Sequence, residues 1–399
     1  MATTAYVHVN LFNGQDDGFI PNSWLVVDNT TGRVTATGHG PTPNTDQVVD
    51  VADKFIMPGM INTHVHVDAD ANHTMDGPIT ETEVTLMALA NLRQALQAGV
   101  TYVRNLGTGH DVDIKLRDAQ QRYHFPAPGI VASGRLISST GGNGDGPYHE
   151  RNASYIVDSP DEMRRVVRQI IKNGADVVKV LVTGGVMSKG DDPRDVGFSA
   201  EELAVAVSEA HARRRKAVAH AQGTTGIQMA LDAGFDSIEH GIYLNAEEAR
   251  VMSERGVYLV PTLNAVESIV RDGRGHIPDY MVDKATTLSN AFFDNMRQAV
   301  ALGVPMTTGT DAGTTFNDFG TGYWDELHLM VHKIGVSPQQ TLYNATINGA
   351  RLLGIDQDYG TLTVGKFADF IVLSASPLAD IDAVREADKQ VFQHGERKF

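Results

Sequence analysis

Pro58-Gly59-Met60-Ile61-Asn62-Thr63-His64-Val65-His66 reads as a buried strand that ends on two imidazoles. Residues i and i+2 of a strand share a face, so His64 and His66 point the same way from its C-terminal end. Taken alone, the pair fits two ordinary histidines equally well. The rest of the chain gives it a setting. Short apolar runs near 56–67, 100–106, 129–134, 177–182, 217–221, 237–241, 257–262 and 305–310 alternate with helical patterns such as 81–98, 161–173, 200–215 and 283–302. Several of these helices open on a Ser, Thr or Asp cap and close on Gly. Alternation of this kind marks parallel βα units. Eight of them favour a closed (β/α)8 barrel over an open sheet, and barrel active sites lie at the C-terminal ends of the strands.

Outward from the barrel, both ends of the chain change character. Residues 5–12, 23–28 and 33–38 read as short strands without helices, and after the helical patterns at 325–334 and 339–353 the segment 360–373 returns to a β reading. The fold expected is therefore α/β, a TIM barrel with a small β-sandwich built from both termini. Residues 1–56 and 356–399 form the sandwich and 57–355 the catalytic barrel.

Composition narrows the function. With 33 Lys+Arg against 49 Asp+Glu the formal charge is −16, and the longest basic run is Arg213-Arg214-Arg215-Lys216, so the footprint of a nucleic-acid binder is missing. The chain has no cysteine. That excludes disulfides, thiolate metal sites and a cysteine nucleophile, and leaves imidazole and oxygen as metal ligands. The N-terminus lacks the pattern of a secretory signal and no apolar run approaches a membrane span. A cytoplasmic protein without membrane partners is expected.

Four further residues fall where His64 and His66 do. Lys179 lies within Val177-Val178-Lys179-Val180-Leu181, His220 closes Ala217-Val218-Ala219-His220, His240 closes Ser237-Ile238-Glu239-His240, and Asp311 ends Thr307-Thr308-Gly309-Thr310-Asp311. Singly, these fit a salt-bridged lysine, core histidines and a helix-capping aspartate. Together, four imidazoles, a lysine and a carboxylate at strand ends of one barrel converge on one mouth, a set that suits zinc or a similar divalent ion. The loop Ser139-Thr140-Gly141-Gly142-Asn143-Gly144-Asp145-Gly146 comes after the third strand and faces the same mouth. Elsewhere, His328 and His332 share a helix face but lack the glutamate of a zincin, so they read as helix surface. His73, His110, His149 and His211 have no ligand spacing, and Asp191-Asp192 reads as a solvated loop that could cover the mouth as a lid.

The order His64-x-His66, Lys179, His220, His240, Asp311, with β segments at both ends, resembles the binuclear amidohydrolase superfamily. Gly184-Gly185-Val186-Met187, the stretch 198–211, Ile238-Glu239-His240-Gly241 and Gly365-Lys366-Phe367-Ala368-Asp369 are similar to its Xaa-Pro dipeptidase and ochratoxinase-like branch, also described as imidazolonepropionase-like. The resemblance spans nearly the whole chain. It implies that His64, His66 and Asp311 hold one metal and His220 and His240 the other. It further implies that Lys179 bridges them as N6-carboxylysine formed with carbon dioxide, zinc being the expected ion. The nucleophile would be a metal-bridging hydroxide and Asp311 the catalytic acid–base. Where relatives carry a His, Asn143 keeps a hydrogen-bond donor without the charge; Gln222 stands where dipeptidase members carry a Tyr; Tyr243 offers a phenol. All three are expected to bind substrate. The activity implied is hydrolysis of the amide C–N bond of a dipeptide or N-acyl amino acid, with cyclic amides, ureas or carbamates as the alternative class. A non-catalytic binding or assembly protein is the remote alternative, disfavoured because all six positions are filled. Relatives in this branch commonly assemble as symmetric oligomers, up to octamers, so the resemblance implies a homo-oligomer.

Overall fold

The computed structural model describes residues 2–71, 78–186 and 191–399. Seven parallel strands, Met60–Val65, Val100–Asn105, Gly129–Ala132, Val177–Leu181, Lys216–Ala221, Ser237–His240 and Tyr258–Val260, run around a barrel. Between the third and fourth, the Asp176 N–H donates to the Ala132 carbonyl at 2.7 Å. The ring closes through residues 305–312: the Leu259 N–H donates to Pro305, the Thr63 N–H to Thr308 and the Asp311 N–H to His64, each at 2.9 Å.

The last segment differs from the strand read at 305–310. Among the described residues it is joined to the flanking barrel strands by the isolated bridges Leu259↔Met306 and Val65↔Ala312. Side chains replace part of the ladder, with Thr63 Oγ1 2.8 Å from Thr307 Oγ1 and Asn62 Nδ2 donating to Thr310 Oγ1 at 2.9 Å. The helical pattern at 339–353 is likewise two helices, Pro338–Asn344 and Ile347–Leu353, interrupted where Thr346 leaves helical geometry. The interruption frees two carbonyls for the barrel: Ala345 accepts from the Ile61 N–H at 2.7 Å and Asn344 from the Thr308 N–H at 3.2 Å.

Helix entry matches the caps visible in the sequence. Thr80, Ser199 and Asn245 each form a capping box with a glutamate three residues on, at Glu81–Gln97, Ala200–His211 and Ala246–Arg255. Gly234 and Gly256, both left-handed, end the helices Thr224–Ala233 and Ala246–Arg255.

The two chain ends meet in a single sheet. Its eight strands are Thr3–Leu11, Ile20–Asp28, Arg33–His39, Gln47–Asp50, Phe55–Pro58, Phe370–Leu373, Gln390–Gln393 and Glu396–Arg397. Phe55–Pro58 links the halves, parallel to Thr3–Leu11 on one side and antiparallel to Phe370–Leu373 on the other. Tyr6 of Thr3–Leu11 meets Phe392 of Gln390–Gln393 with ring centroids 5.6 Å apart, although two strands separate them in hydrogen-bonding order. A flat sheet would hold them about 14 Å apart at the usual strand spacing. The sheet therefore curls around its own core, which includes Val9, Leu25, Val27, Ile56 and Phe370.

The apolar run read as one strand over 56–67 is thus two, one in the terminal sheet and one in the barrel. The switch is at Gly59, whose N–H donates to Asp369 of the terminal sheet at 2.9 Å while the next residue, Met60, donates to Gly99 beside the barrel at 3.0 Å. A Cβ at Gly59 would lie 2.3 Å from Thr101 Oγ1 and 2.4 Å from its methyl. Thr101 is buried and has no room to yield. Gly59→Ala is therefore expected to destabilise the fold by about 1–3 kcal/mol, the usual cost of overpacking, read as a lower denaturant midpoint at unchanged slope. An unchanged midpoint would contradict the close packing of the two parts at this residue.

Candidate active site

Six barrel residues meet at the C-terminal mouth. His64, His66, Lys179, His220, His240 and Asp311 line one pocket, joined there by Asn143 and Gln222. Ring centroids of His64 and His66 are 5.4 Å apart, His64 and His240 5.1 Å, and His220 and His240 4.5 Å. Asp311 Oδ1 lies 3.3 Å from His64 Nε2 and 3.2 Å from His66 Nε2. His64, His240 and Asp311 each offer a ligand atom within 4.8 Å of the others, a candidate metal-binding group.

Each imidazole is held through one nitrogen, which leaves the other for the pocket. His64 Nδ1 is 2.7 Å from Glu239 Oε2, His240 Nδ1 is 2.7 Å from Thr262 Oγ1, and His66 Nδ1 is 3.4 Å from the Gly107 carbonyl. His220 is turned the opposite way, with Nε2 3.2 Å from the Gly184 carbonyl, so that Nδ1 is the nitrogen left over.

The backbone at these positions is also constrained. His240, Thr262 and Asp311 have φ of 71°, 51° and 61°. Non-glycine residues seldom adopt the left-handed region, and for a β-branched threonine it is an outlier. Such strain collects at functional sites, where surrounding packing over-determines it.

Electrostatics in the pocket are governed by burial. Lys179 is 1% exposed, and its Nζ makes no hydrogen bond among the described residues. Burial lowers its pKa to about 8, partly opposed by Glu239 and Asp311. Burial and then the Lys179 charge lower His220 to about 3, and burial and His220 hold His240 well below the usual imidazole range. Both are neutral, the state in which an imidazole can ligate a metal. Burial alone would raise Asp311, but His64 and His66 hold it well below the ordinary carboxylate range.

Behind His64 lies an arrangement that the sequence pattern did not reveal. Arg104 and Glu239 sit inside the barrel, 1% and 0% exposed. Arg104 donates to Glu239 Oε1 at 2.8 Å, to the Thr63 carbonyl at 2.6 Å and to Ser237 Oγ at 3.2 Å. Although burial opposes it, Arg104 and then His64 lower Glu239 to about 2. The available signal was a single charge within each of two buried strands, Val100–Asn105 and Ser237–His240. Thr262 carried no comparable signal, because only the fold sets it against His240.

Among the expected substrate contacts, Asn143 and Gln222 reach the pocket and Tyr243 does not. Left-handed Gly241 turns the chain so that Ile242 faces the cavity, while Tyr243 is left partly buried, its N–H donating to the Gln222 carbonyl at 2.8 Å. Gln222 Oε1 is buried without a hydrogen bond. The remaining wall is apolar and includes Leu181, Val186, Ile242, Val266, Ile269 and Phe292. Asp191 accepts from the Gly185 N–H of the pocket wall at 3.0 Å, and Asp192 pairs with Arg194 at 2.8 Å. His211 pairs with Asp236 at 2.9 Å, away from the site. His73 and Met187 lie outside the described residues.

The fold and this polar strand-end cluster define a hydrolase of the amidohydrolase family, and the chain belongs to it: the Amidohydrolase family model matches residues 55–396. Ochratoxinase of Aspergillus niger is 32% identical over 359 residues, covering 83% of this chain and 72% of that protein. A Xaa-Pro dipeptidase crystallised with methionine in its active site is similar in structure, with a TM-score of 0.90 at 29% identity and 99% of each chain covered. A prolidase complexed with N-methylphosphonate-L-proline gives a TM-score of 0.90 at 26% identity, again covering 99% of both chains.

Glu239→Gln leaves Arg104 buried without its counter-charge and loosens the hold on His64. The expected loss is about 3–5 kcal/mol of stability, measured by unfolding. Because Glu239 is depressed from 4.5 to about 2, its contribution is complete above about pH 4.5 and is lost as pH falls toward 2. The stability gap between wild type and variant should therefore narrow over that range, and a gap that stays constant would contradict ionised Glu239 as the cause.

Proposed function

We propose that the protein is a binuclear metal-dependent hydrolase that cleaves the amide C–N bond of a dipeptide or N-acyl amino acid. The observation that carries the reading is the convergence of four imidazoles, Lys179 and Asp311 on one buried pocket whose remaining wall is largely apolar. The donor set fits the metals. The neutral imidazoles of His220 and His240, each with one nitrogen left over, an ionised carboxylate and a buried amine without a hydrogen bond are what a divalent centre would satisfy. His64, His66 and Asp311 would hold one ion, His220 and His240 the other, and Lys179, as its carbamate, would reach both. Divalent ions held there supply Lewis acidity, which lowers the pKa of water toward about 7 and polarises a carbonyl.

This chain's residues supply the rest. Asp311, fixed by its own N–H on the His64 carbonyl, takes the proton of the attacking water on its carboxylate and delivers it to the leaving nitrogen. Gln222 Oε1 is a buried acceptor free to orient a substrate N–H, and Asn143 is placed to donate to an acyl or carboxylate oxygen. Leu181, Val186, Ile242 and Phe292 hold an apolar side chain and exclude water. Similarity to a Xaa-Pro dipeptidase with bound methionine and to a prolidase with a proline phosphonate supports an amino-acid product.

One observation favours neutral cyclic amides, ureas or carbamates as the second reading. Among the described lining residues Lys179 is the one Lys or Arg, so no further fixed cation receives a free carboxylate.

Amine release across dipeptides, N-acyl amino acids, cyclic amides and ureas distinguishes the two. Selective release from the first two classes, eliminated by a chelator and reduced about 10²–10⁴-fold in Asp311→Asn, is the expected result. Turnover of cyclic amides or ureas alone would replace the dipeptide reading with the second. Turnover that survives chelation would end the metal-dependent assignment. With ¹³C-bicarbonate, a carbamate resonance is expected in wild type and not in Lys179→Ala, and its absence from wild type would remove the bridging role of Lys179.

A further inference from the structure

Outside the pocket, one group of side chains assembles ligands that no single sequence segment contains. The helix Thr321–His332 carries His328 and His332 one turn apart, with ring centroids separated by 4.4 Å. The short 3₁₀ helix Ile381–Arg385, near the C-terminus, packs against it and brings Asp382, whose Oδ2 is 2.9 Å from His328 Nδ1. One ligand atom from each of the three lies within 4.8 Å of the others. None of them lines the active-site pocket.

We propose that His328, His332 and Asp382 form a separate surface site for a divalent transition-metal ion of the zinc or copper(II) class. Two imidazoles and one carboxylate are a borderline donor set that selects such ions over calcium or magnesium. Tetrahedral bonds of about 2.0–2.1 Å place neighbouring ligand atoms about 3.3 Å apart. The His328–Asp382 pair opens by a few tenths of an ångström to reach that spacing, and His332 closes by rotation of an exposed side chain. The carboxylate is already oriented: Asp382 Oδ1 accepts from Arg385 Nε at 2.6 Å, and Arg385 pairs with Asp325 at 2.9 Å, which leaves Oδ2 for the ion. Side-chain exposures of 42% for His328 and 33% for Asp382 give an ion access from solvent and room for water as the fourth ligand. A bound ion would cross-link a barrel helix to the segment that leads into Gln390–Gln393 of the terminal sheet, so binding should stabilise the junction of the two parts.

The test uses the full chain and zinc alone. After dialysis against a fixed zinc concentration, the metal content of wild type, His332→Ala and His328→Ala/His332→Ala is counted, and each protein is melted with and without added zinc. Zinc held by the active-site residues is common to all three and cancels in the comparison. Wild type is expected to retain one zinc per chain more than either variant, to gain more melting temperature on zinc addition than the variants gain, and to show slower zinc-dependent hydrogen exchange over 381–385. His332→Ala keeps the His328–Asp382 contact and guards against a double variant that folds poorly. Equal zinc content in wild type and variants, or a zinc-induced shift as large in the variants as in wild type, overturns the proposal.

Discussion

Glu239 is an ionised carboxylate with no exposed surface, and the geometry of the mouth depends on how its charge is neutralised. Arg104 compensates it from the second barrel strand, and its other oxygen fixes His64 on the first. The price of burying two charges is high unless every donor is used, and here Arg104 also bonds the Thr63 carbonyl and Ser237. The pair therefore ties three strands to one another directly beneath the pocket. That explains how His64, with Nδ1 committed to Glu239, can present Nε2 to Asp311 across the closure of the ring.

The same logic organises the rest of the site. Every imidazole has one nitrogen occupied by a residue that lines the barrel or its loops, so the side facing the cavity is decided before any ligand arrives. Three left-handed non-glycine residues at three strand ends show that the backbone is strained to keep these directions. A closed barrel can absorb that cost because its strands are packed on both faces, whereas an open sheet edge would relax. The terminal sheet contributes at one remove: through Phe55–Pro58 and Gly59 it grips the start of the strand that carries His64 and His66.

Much of this was legible in the sequence, for a physical reason. A parallel strand buried on both faces needs an apolar run, so a His, Lys or Asp within it or at its end stands out against its neighbours. Lys179, His220, His240 and Asp311 were recognisable on those grounds. Arg104 and Glu239 gave the same kind of signal, but a single charge does not name its partner. Residues 305–312 close the ring with hydroxyls in place of a regular ladder, which an apolar pattern does not encode.

The order of βα units, the β character of both ends and the residue types available for chemistry are all set by the chain's own pattern, since they depend on periodicity and on what each side chain can donate or accept. Which atoms meet was settled only by folding. It set Glu239 between Arg104 and His64, turned His220 opposite to the other imidazoles, put Ile242 rather than Tyr243 in the pocket wall, and brought Asp382 to His328 across a separation of 54 residues. Contacts between distant segments depend on strand register and on local backbone angles, and an error of one residue in either turns a side chain to the opposite face.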